Sequence, residues 1–276
     1  MGKKMLPLML TGCIFLGGCA LLAYPKVSQW LNNLHQSEVI ADYSSAMDGL
    51  DDEEAQRELK RAEDYNDQLT ETVALNDPFE TKLTENDQYS TLLNFTAEGV
   101  MGYIEIPKIN VLLPIYHGVS SGVLSKGIGH LPETSLPVGG ASTHCVLAGH
   151  SGMSSARLFT DLPKLENGDV FYLHIYNKTL TYTVDQVKKV LPTDTSDLTI
   201  VDGEDYVTLV TCVPIAVNSH RLLVRGHRVE NAAPKPEIFV PADMVQIDPL
   251  VVTPIVAVPM LLVLLIFLLI RYRKRS

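Results

Sequence analysis

Two long hydrophobic runs, one near each end of the chain, dominate its hydropathy pattern. The first covers residues 5–24 and follows two lysines, which is typical of a signal peptide or an uncleaved membrane anchor. The second covers residues 250–270, about the length that spans a bilayer, and the basic segment 271–276 follows it directly. Because basic residues are enriched on the cytoplasmic side of a membrane, we expect a membrane anchor or signal segment over 1–26, a transmembrane helix over 250–270, and both termini in the cytoplasm.

The pattern after the first run is helical. Apolar residues recur at three- and four-residue spacing from about residue 27 to residue 72. Gly49 interrupts the pattern, and Asp51 and Asp52 could cap a second helix. The apolar stripe of that second helix consists of Ala55, Leu59, Ala62, Tyr65 and Leu69. The pattern predicts a helical stalk over residues 27–75 that packs against the main domain, without residues that suggest catalysis.

The pattern of residues 91–232 indicates short β-strands separated by Gly, Pro and Asn turns. Asn177 and Lys178, between two of these strands, predict a hairpin. The predicted strands cover residues 102–106, 111–115, 145–148, 170–176, 180–184, 206–210 and 222–229. Many short strands at this spacing favour a closed barrel or a sandwich. The proline-containing residues 233–249 predict an extended linker to the second membrane segment.

Three residues that could carry out acyl transfer each lie at the end of a predicted strand. The strand over 206–210 stops just before Cys212, and Arg221 opens the next strand nine positions later. His150 closes an apolar run and lies between Gly149 and Gly152, where the backbone can turn. In such a set the thiolate attacks a carbonyl, the imidazole transfers the leaving-group proton and the guanidinium stabilises the oxyanion.

Other arginines and histidines compete for these roles. Arg225 shares a strand face with Arg221, whereas Arg228 points the other way, because side chains alternate along a strand. Arg221 comes first after the turn and should lie nearest the cysteine, and we expect Arg225 to be a solvated cation at a strand edge. His144 and His220 fit hydrogen-bonded structural imidazoles better than a catalytic role.

A second extracytoplasmic cysteine, Cys145, raises two alternatives to a free nucleophile. An oxidising compartment favours a disulfide, but Cys145 lies five residues before His150 in one predicted strand, so the two side chains point to opposite faces. If His150 neighbours Cys212, then Cys145 does not, and we expect Cys212 to be a free thiol. The other alternative, a zinc site of Cys145, His144, His150 and Cys212, lacks the paired ligand spacing of structural zinc sites.

The charge of the central part argues against one class of partner. The chain has 22 basic and 32 acidic residues. Lys3, Lys4 and the four basic residues of 271–276 flank the two hydrophobic runs, which leaves 16 basic residues for the rest of the chain. A surface with this excess of negative charge is unsuited to nucleic acid and to anionic lipid. We therefore expect no nucleic-acid partner.

The motifs around these residues resemble the sortases, and specifically the class C, pilus-assembling sortases. The resemblance covers about residues 77–229 and rests on several segments in family order. They are YIEIPK over 103–108, GIGHLP over 127–132 with SLPVGG over 135–140, THCVLAGHSG over 143–152, TLVTC over 208–212 and NSHRLLVRGHR over 218–228. One departure is Ser151, which stands where many class C members have arginine.

This resemblance implies a mainly β fold, a closed eight-stranded sortase-type barrel with short helices, and the same three catalytic residues, Cys212, His150 and Arg221. It also implies a lid within the segment 76–90. The lid is carried by Asp77, Pro78 and Phe79, with Asp77 pairing with Arg221 and Phe79 covering Cys212.

The activity implied by the resemblance is that of a cysteine transpeptidase outside the cell membrane of a Gram-positive bacterium. It would cleave an LPXTG-like sorting signal of a pilin or surface protein between Thr and Gly, and join the Thr to a lysine amine of another pilin. The scheme requires no metal or organic cofactor. The alternatives are a sortase that anchors proteins to the cell wall, a non-catalytic pilus-binding module on a sortase-like barrel, and a general thiol protease.

Overall fold

The computed structural model describes residues 5–69, 77–80, 88–96 and 99–231. By its contacts the chain divides into two compact units. One unit comprises Asn32–Glu237, and the other comprises Met1–Leu31 with Ile238–Ser276. The predicted linker, the transmembrane helix over 250–270 and the basic tail lie outside the described residues.

Eight strands form a closed barrel, which confirms the predicted architecture. Their order around the barrel is β1-β2-β3-β4-β7-β8-β6-β5. The β2–β3 and β4–β7 pairs are parallel, and the other neighbouring pairs are antiparallel. The strands are β1 (Val100–Ile106), β2 (Val111–His117), β3 (Ile128–His130), β4 (Thr143–Ala148), β5 (Val170–Ile175), β6 (Lys178–Val190), β7 (Asp205–Val213) and β8 (His220–Val229). The hairpin predicted at Asn177 and Lys178 joins β5 to β6.

Alternation along β7 decides which side chains point into the barrel. Val207 and Leu209 are fully buried in the main core, which fills the barrel interior. Thr208, Val210 and Cys212 have the opposite parity and therefore lie on the outer face. The thiol thus lies outside the barrel interior, on a face that other segments can cover.

Two helices precede the barrel strands in the sequence, and a third lies between β2 and β3. They are α1 (Met5–Asp48), α2 (Asp52–Asn66) and α3 (Ser121–Lys126). Short 3₁₀ turns cover Gln88–Thr91, Pro107–Ile109, Leu162–Lys164 and Ser196–Leu198. The break between α1 and α2 falls at Gly49, and Asp51 occupies the N-cap position of α2 without a capping hydrogen bond from its side chain. Helix α1 runs through the predicted boundary after residue 26, with Pro25 inside it.

The helical region within Asn32–Glu237 packs against the barrel. Tyr43 of α1 is buried, donates a hydrogen bond to the Met101 carbonyl at 3.1 Å and accepts one from the Tyr176 amide at 2.8 Å. The Asn66 side chain at the end of α2 bonds both the amide and the carbonyl of Leu136, at 2.7 and 3.2 Å. These contacts attach both helices to the strand system.

Within the part of the chain that the structure describes, no helix is both long and apolar enough to cross a membrane. The N-terminal anchor over residues 1–26 stays a prediction.

Candidate active site

Cys212 and Arg221 face each other across the antiparallel β7–β8 pair, on the outer face of the barrel. They are direct partners in the strand register, near the turn that joins the two strands. Both are buried, with 7% and 8% of their surface exposed. Side chains of directly opposed residues lie close together, so the register alone places the guanidinium beside the thiol.

His150 reaches the same edge of the sheet from β4. The parallel β4–β7 pair ends at the register partners Ala148 and Val210, so His150 and Cys212 each lie two residues beyond the last pair. Gly149, just before His150, has no room for a side chain, since a Cβ there would lie 2.6 Å from the Phe159 ring. The turn that presents the imidazole therefore requires glycine at this position.

A short segment from outside the barrel lies on these residues, and we call residues 77–80 the lid. Asp77 forms a two-point ion pair with Arg221, with Nε to Oδ1 at 2.9 Å and Nη2 to Oδ2 at 2.5 Å. The ring of Phe79 stacks on His150 with centroids 5.6 Å apart, and the Arg221 guanidinium lies 5.1 Å from the same ring. Pro78, between them, is buried.

The lid and the turn before β8 together occupy the Arg221 guanidinium. Nε and Nη2 donate to Asp77, while Nη1 donates to the carbonyls of Asn218 and His220 at 3.0 and 3.2 Å. Asp77 also shapes the lid itself, because it accepts the Phe79 amide at Oδ1 at 3.2 Å. In this closed arrangement the Arg221 guanidinium is bonded to the protein's own carboxylate, that of Asp77.

A second buried apolar cluster, which we call the outer patch, lies on the outside of β4, β7 and β8 next to this site. Phe79 packs against it. Its members are buried and belong to several strands and loops: Val119, Leu124, Leu131, Val146, Ala148, Val190, Leu198, Val210 and Leu223. Because these residues are buried, the part of the patch that a ligand could contact is the part that Phe79 covers.

A family model for the sortase domain matches residues 104–229. Sortase D of Bacillus subtilis is 32% identical over 164 residues, which cover 57% of this chain and 80% of that protein. The chain belongs to the sortase family. Sortase A of Bacillus anthracis is 32% identical over 136 residues, which cover 49% of this chain and 63% of that protein.

Solved structures of class C sortases are similar to this chain. The crystal structure of sortase C from Streptococcus pneumoniae is 41% identical to this sortase, with a TM-score of 0.65, and the match covers 71% of this chain and 99% of that one. The predicted likeness to the class C sortases is confirmed, and with it the prediction of a sortase-type cysteine transpeptidase.

The electrostatics of this sortase disfavour the charged forms of Cys212 and His150. Burial raises the pKa of the Cys212 thiol, Arg221 opposes this shift and Asp77 adds to it. Burial lowers the pKa of His150. At neutral pH the closed site therefore holds a protonated thiol and a neutral imidazole, because both shifts disfavour the charged forms.

The residues that competed for catalytic roles lie in other environments. His144 donates from Nδ1 to the Thr199 carbonyl at 2.8 Å and accepts at Nε2 from the Thr208 hydroxyl at 2.7 Å, as a structural imidazole does. Cys145 lies in the barrel core, and both it and Cys212 are free thiols, as predicted. Among the described residues, no group of three or more His, Cys, Asp or Glu has a geometry that could hold a metal ion.

The expectation for Arg225 is wrong. It is held by Asp185 through two hydrogen bonds of 3.0 and 2.9 Å, and its guanidinium lies 4.2 Å from the centre of the Tyr206 ring. The strand-edge interpretation fails because β8 lies between β6 and β7 in a closed barrel and has no free edge.

Sequence reasoning missed the backbone groups that hold the site together. The carbonyls of Asn218 and His220 orient Arg221, and carbonyl contacts leave no signal in side-chain patterns. The outer patch was also missed as a surface, because its residues come from loops as well as from strands. The alternation of apolar residues at Val146, Ala148 and Val210, on the face opposite the core, is the one signal that could have indicated it.

Proposed function

We propose that this sortase assembles pili by transpeptidation. It cleaves an LPXTG-like sorting signal between Thr and Gly and joins the new Thr carboxyl group to a lysine amine of another pilin subunit. The observation that carries the proposal is the site geometry, in which Cys212, His150 and Arg221 converge at one edge of the barrel under a lid whose Asp77 pairs with Arg221. The similar sortase C of Streptococcus pneumoniae is described in terms of pilin substrate specificity, which supports a pilin substrate here.

In the first half-reaction, the Cys212 thiol gives its proton to His150, and the resulting thiolate attacks the Thr carbonyl and forms a carbon–sulfur bond. Arg221 stabilises the tetrahedral oxyanion by donating hydrogen bonds. His150 gives a proton to the departing glycine amine as the Thr–Gly bond breaks, which leaves a thioacyl-enzyme. In the second half-reaction, the lysine amine attacks the thioacyl carbon, His150 accepts its proton, and the Cys212 thiolate departs as the isopeptide bond forms.

The lid must move before this chemistry begins. Asp77 holds the donors of Arg221 that the oxyanion would use, and Phe79 stacks on the imidazole that would transfer the proton. A carboxylate and a ring in these positions imitate a bound substrate, with the carboxylate in place of the oxyanion. Closure therefore protects a reactive thiol and suppresses hydrolysis until a sorting signal competes with the lid.

The outer patch supports recognition of the apolar part of the signal. It lies beside Cys212 and accepts the Phe79 ring in the closed state. A Leu-Pro pair ahead of the scissile bond would gain from burial on the same surface, at about 25 cal/mol per Å² of apolar area. The scheme uses no cofactor, and the partners are a pilin or surface protein with the signal and a second pilin with the acceptor lysine.

The predicted topology completes the proposal. The barrel lies outside the cell membrane, held by the segments predicted over residues 1–26 and 250–270, with both termini in the cytoplasm. This location gives the enzyme access to exported pilins.

A two-peptide ligation assay tests the function. The full chain in detergent, with Asp77→Ala and Phe79→Ala to weaken the lid, is mixed with an LPXTG-type donor peptide and a lysine-containing acceptor peptide from a pilin. A branched product of donor and acceptor supports pilin polymerisation. Transfer only to a cell-wall-type amine would indicate a sortase that anchors proteins to the wall. Hydrolysis with no transfer would indicate a thiol protease, and the absence of any cleavage would indicate a binding module.

A further inference from the structure

The hydrogen-bond ladder between β4 and β7 ends before it reaches the catalytic residues. The last register pair is Ala148 with Val210, and the Gly149 amide then donates to the Val210 carbonyl at 3.0 Å. Alternate carbonyls along a strand point to the same side, so the next β7 carbonyl that faces β4 belongs to Cys212. A carbonyl at this position needs a partner that the ladder no longer supplies.

Side chains take over where the ladder stops. The Ser151 hydroxyl donates to the Cys212 carbonyl at 2.5 Å. The Thr211 hydroxyl donates in the opposite direction, to the Gly149 carbonyl at 2.7 Å. His150 is therefore bracketed by two residues that are each bonded to the strand that carries the nucleophile.

An apolar contact accompanies the Ser151 bond. Gly152, with a φ of +72°, lies against Ile215 in the turn after β7, and a Cβ on Gly152 would lie 2.3 Å from the Ile215 side chain. The loop after β4 thus contacts the end of β7 and the loop after it at two consecutive residues. The Ser151 hydroxyl bonds the Cys212 carbonyl, and Gly152 packs against Ile215. The half-buried Ser151 supplies the polar part of this contact.

We propose that Ser151 is a positioning residue for the transpeptidase reaction, whose hydroxyl clamps the backbone of Cys212 and so sets the separation of the thiol and the His150 imidazole. The proposal rests on the proposed function. The bond fixes the carbonyl of the nucleophile, and with it the backbone torsion from which the Cys212 side chain extends. Because Ser151 directly follows His150, the same bond fixes both partners of the proton transfer.

Loss of the Ser151 hydrogen bond should lower kcat more than it changes KM. Loss of the hydroxyl lets the two loops separate, which lengthens the path between imidazole and sulfur, whereas the outer patch and Arg221 keep their own contacts. A displacement of about 1 Å of a reacting group can cost about a hundredfold in rate. The Ser151 bond is one of two cross-strand hydroxyl bonds, so its loss should have a partial effect. We therefore expect a loss of about tenfold in kcat with KM nearly unchanged.

The test compares substitutions at Ser151 in the full chain in detergent, on the lid-weakened Asp77→Ala/Phe79→Ala background. Ser151→Ala removes the hydroxyl, and Ser151→Thr and Ser151→Val are matched in shape but differ in that group. Ser125→Ala is the control, because Ser125 also donates a hydroxyl bond to a carbonyl, that of Gly122 at 2.8 Å, but in α3. The measurements are kcat and KM for thioacyl formation, the melting temperature, and the pH profile of Cys212 alkylation by iodoacetamide, with His150→Ala as a reference profile.

We expect Ser151→Ala and Ser151→Val to lose about tenfold in kcat, while Ser151→Thr and Ser125→Ala keep the parent rate. We also expect the alkylation profiles of the Ala and Val variants to shift towards that of His150→Ala, since the imidazole no longer influences the thiol. Equal rates and equal alkylation profiles for the Thr and Val variants would overturn the proposal. This comparison decides the question even if Ser151→Ala does not fold. A parent that forms no thioacyl adduct refutes the proposed function, and in that case the alkylation profiles still decide whether the clamp exists.

Discussion

Asp77 and Arg221 are 144 positions apart in the sequence and form a two-point ion pair at the centre of the site. Both side chains are 10% exposed. The pair connects the lid to the strand that carries the proposed oxyanion donor. Opening the lid and freeing Arg221 are therefore one event.

Breaking this pair should activate the enzyme. Asp77→Ala removes charge-assisted hydrogen bonds that are worth about 1.5–3 kcal/mol in typical proteins, so we expect thioacyl formation to rise by about tenfold to a hundredfold. Initial rates with an LPXTG-type peptide measure the effect. The control is Asp185→Ala, which breaks the similar Asp185–Arg225 pair without touching the lid. Equal changes in both variants, or a slower Asp77→Ala enzyme, would contradict the role of the lid.

The same pair should control the acidity of the nucleophile. Burial raises the pKa of Cys212 and the Asp77 charge raises it further, whereas Arg221 lowers it. Asp77→Asn removes the negative charge and leaves that of Arg221, so the pKa falls and the thiolate fraction rises at any pH below it. Iodoacetamide alkylation of Cys212 should then reach its midpoint at a lower pH than in the wild type. A midpoint that is unchanged, or that moves equally in Asp185→Asn, would show that the lid does not tune the thiol.

Much of the site follows from strand periodicity, and what the sequence missed has physical reasons. Parity along β8 places Arg221 rather than Arg228 on the face of Cys212, and the structure has this arrangement. The strand β3 was not predicted, because Ile128–His130 is three residues long and contains a glycine, which gives no alternation to detect. The sequence also could not show that Phe79 stacks on His150, because that contact depends on the path of the lid across the barrel.

Arg221 and Arg225 provide a matched comparison for the oxyanion role. Both lie on the outer face of β8 and each is paired with an aspartate, but only Arg221 is opposite Cys212. Lysine keeps the charge and loses the planar set of donors. On the lid-weakened background we expect Arg221→Lys to lower kcat by about 10²-fold, the scale of a lost oxyanion donor, and Arg225→Lys to have little effect. Similar losses in both variants would assign the effect to fold stability.

Two buried histidines should make the fold sensitive to acid. Burial lowers the pKa of both His130 and His144 to about 4. The unfolded chain takes up protons near pH 6.5 and the folded chain only near pH 4, so the free energy of unfolding is highest above pH 6.5 and falls as the pH decreases through this window. Each imidazole contributes about 3 kcal/mol to this loss.

Urea unfolding at a series of pH values measures this dependence. In His144→Gln, the free energy of unfolding should change less steeply with pH than in the wild type between pH 6.5 and pH 4. The difference in slope corresponds to the uptake of up to one proton on unfolding, and it does not depend on the absolute stability of the variant. Parallel curves for the two proteins would contradict a neutral buried His144.

The most direct test of the account is the intact mass of the full-length Asp77→Ala/Phe79→Ala protein after incubation with LPXTG-type peptides. We predict a mass increase that corresponds to the peptide up to its Thr, attached as a thioester, with a smaller increase on the wild type. The adduct should persist in Cys145→Ala, whose thiol lies in the barrel core, and be absent in Cys212→Ala. No adduct with any motif variant, or an adduct that survives Cys212→Ala, would contradict the assignment of Cys212 as the transpeptidase nucleophile.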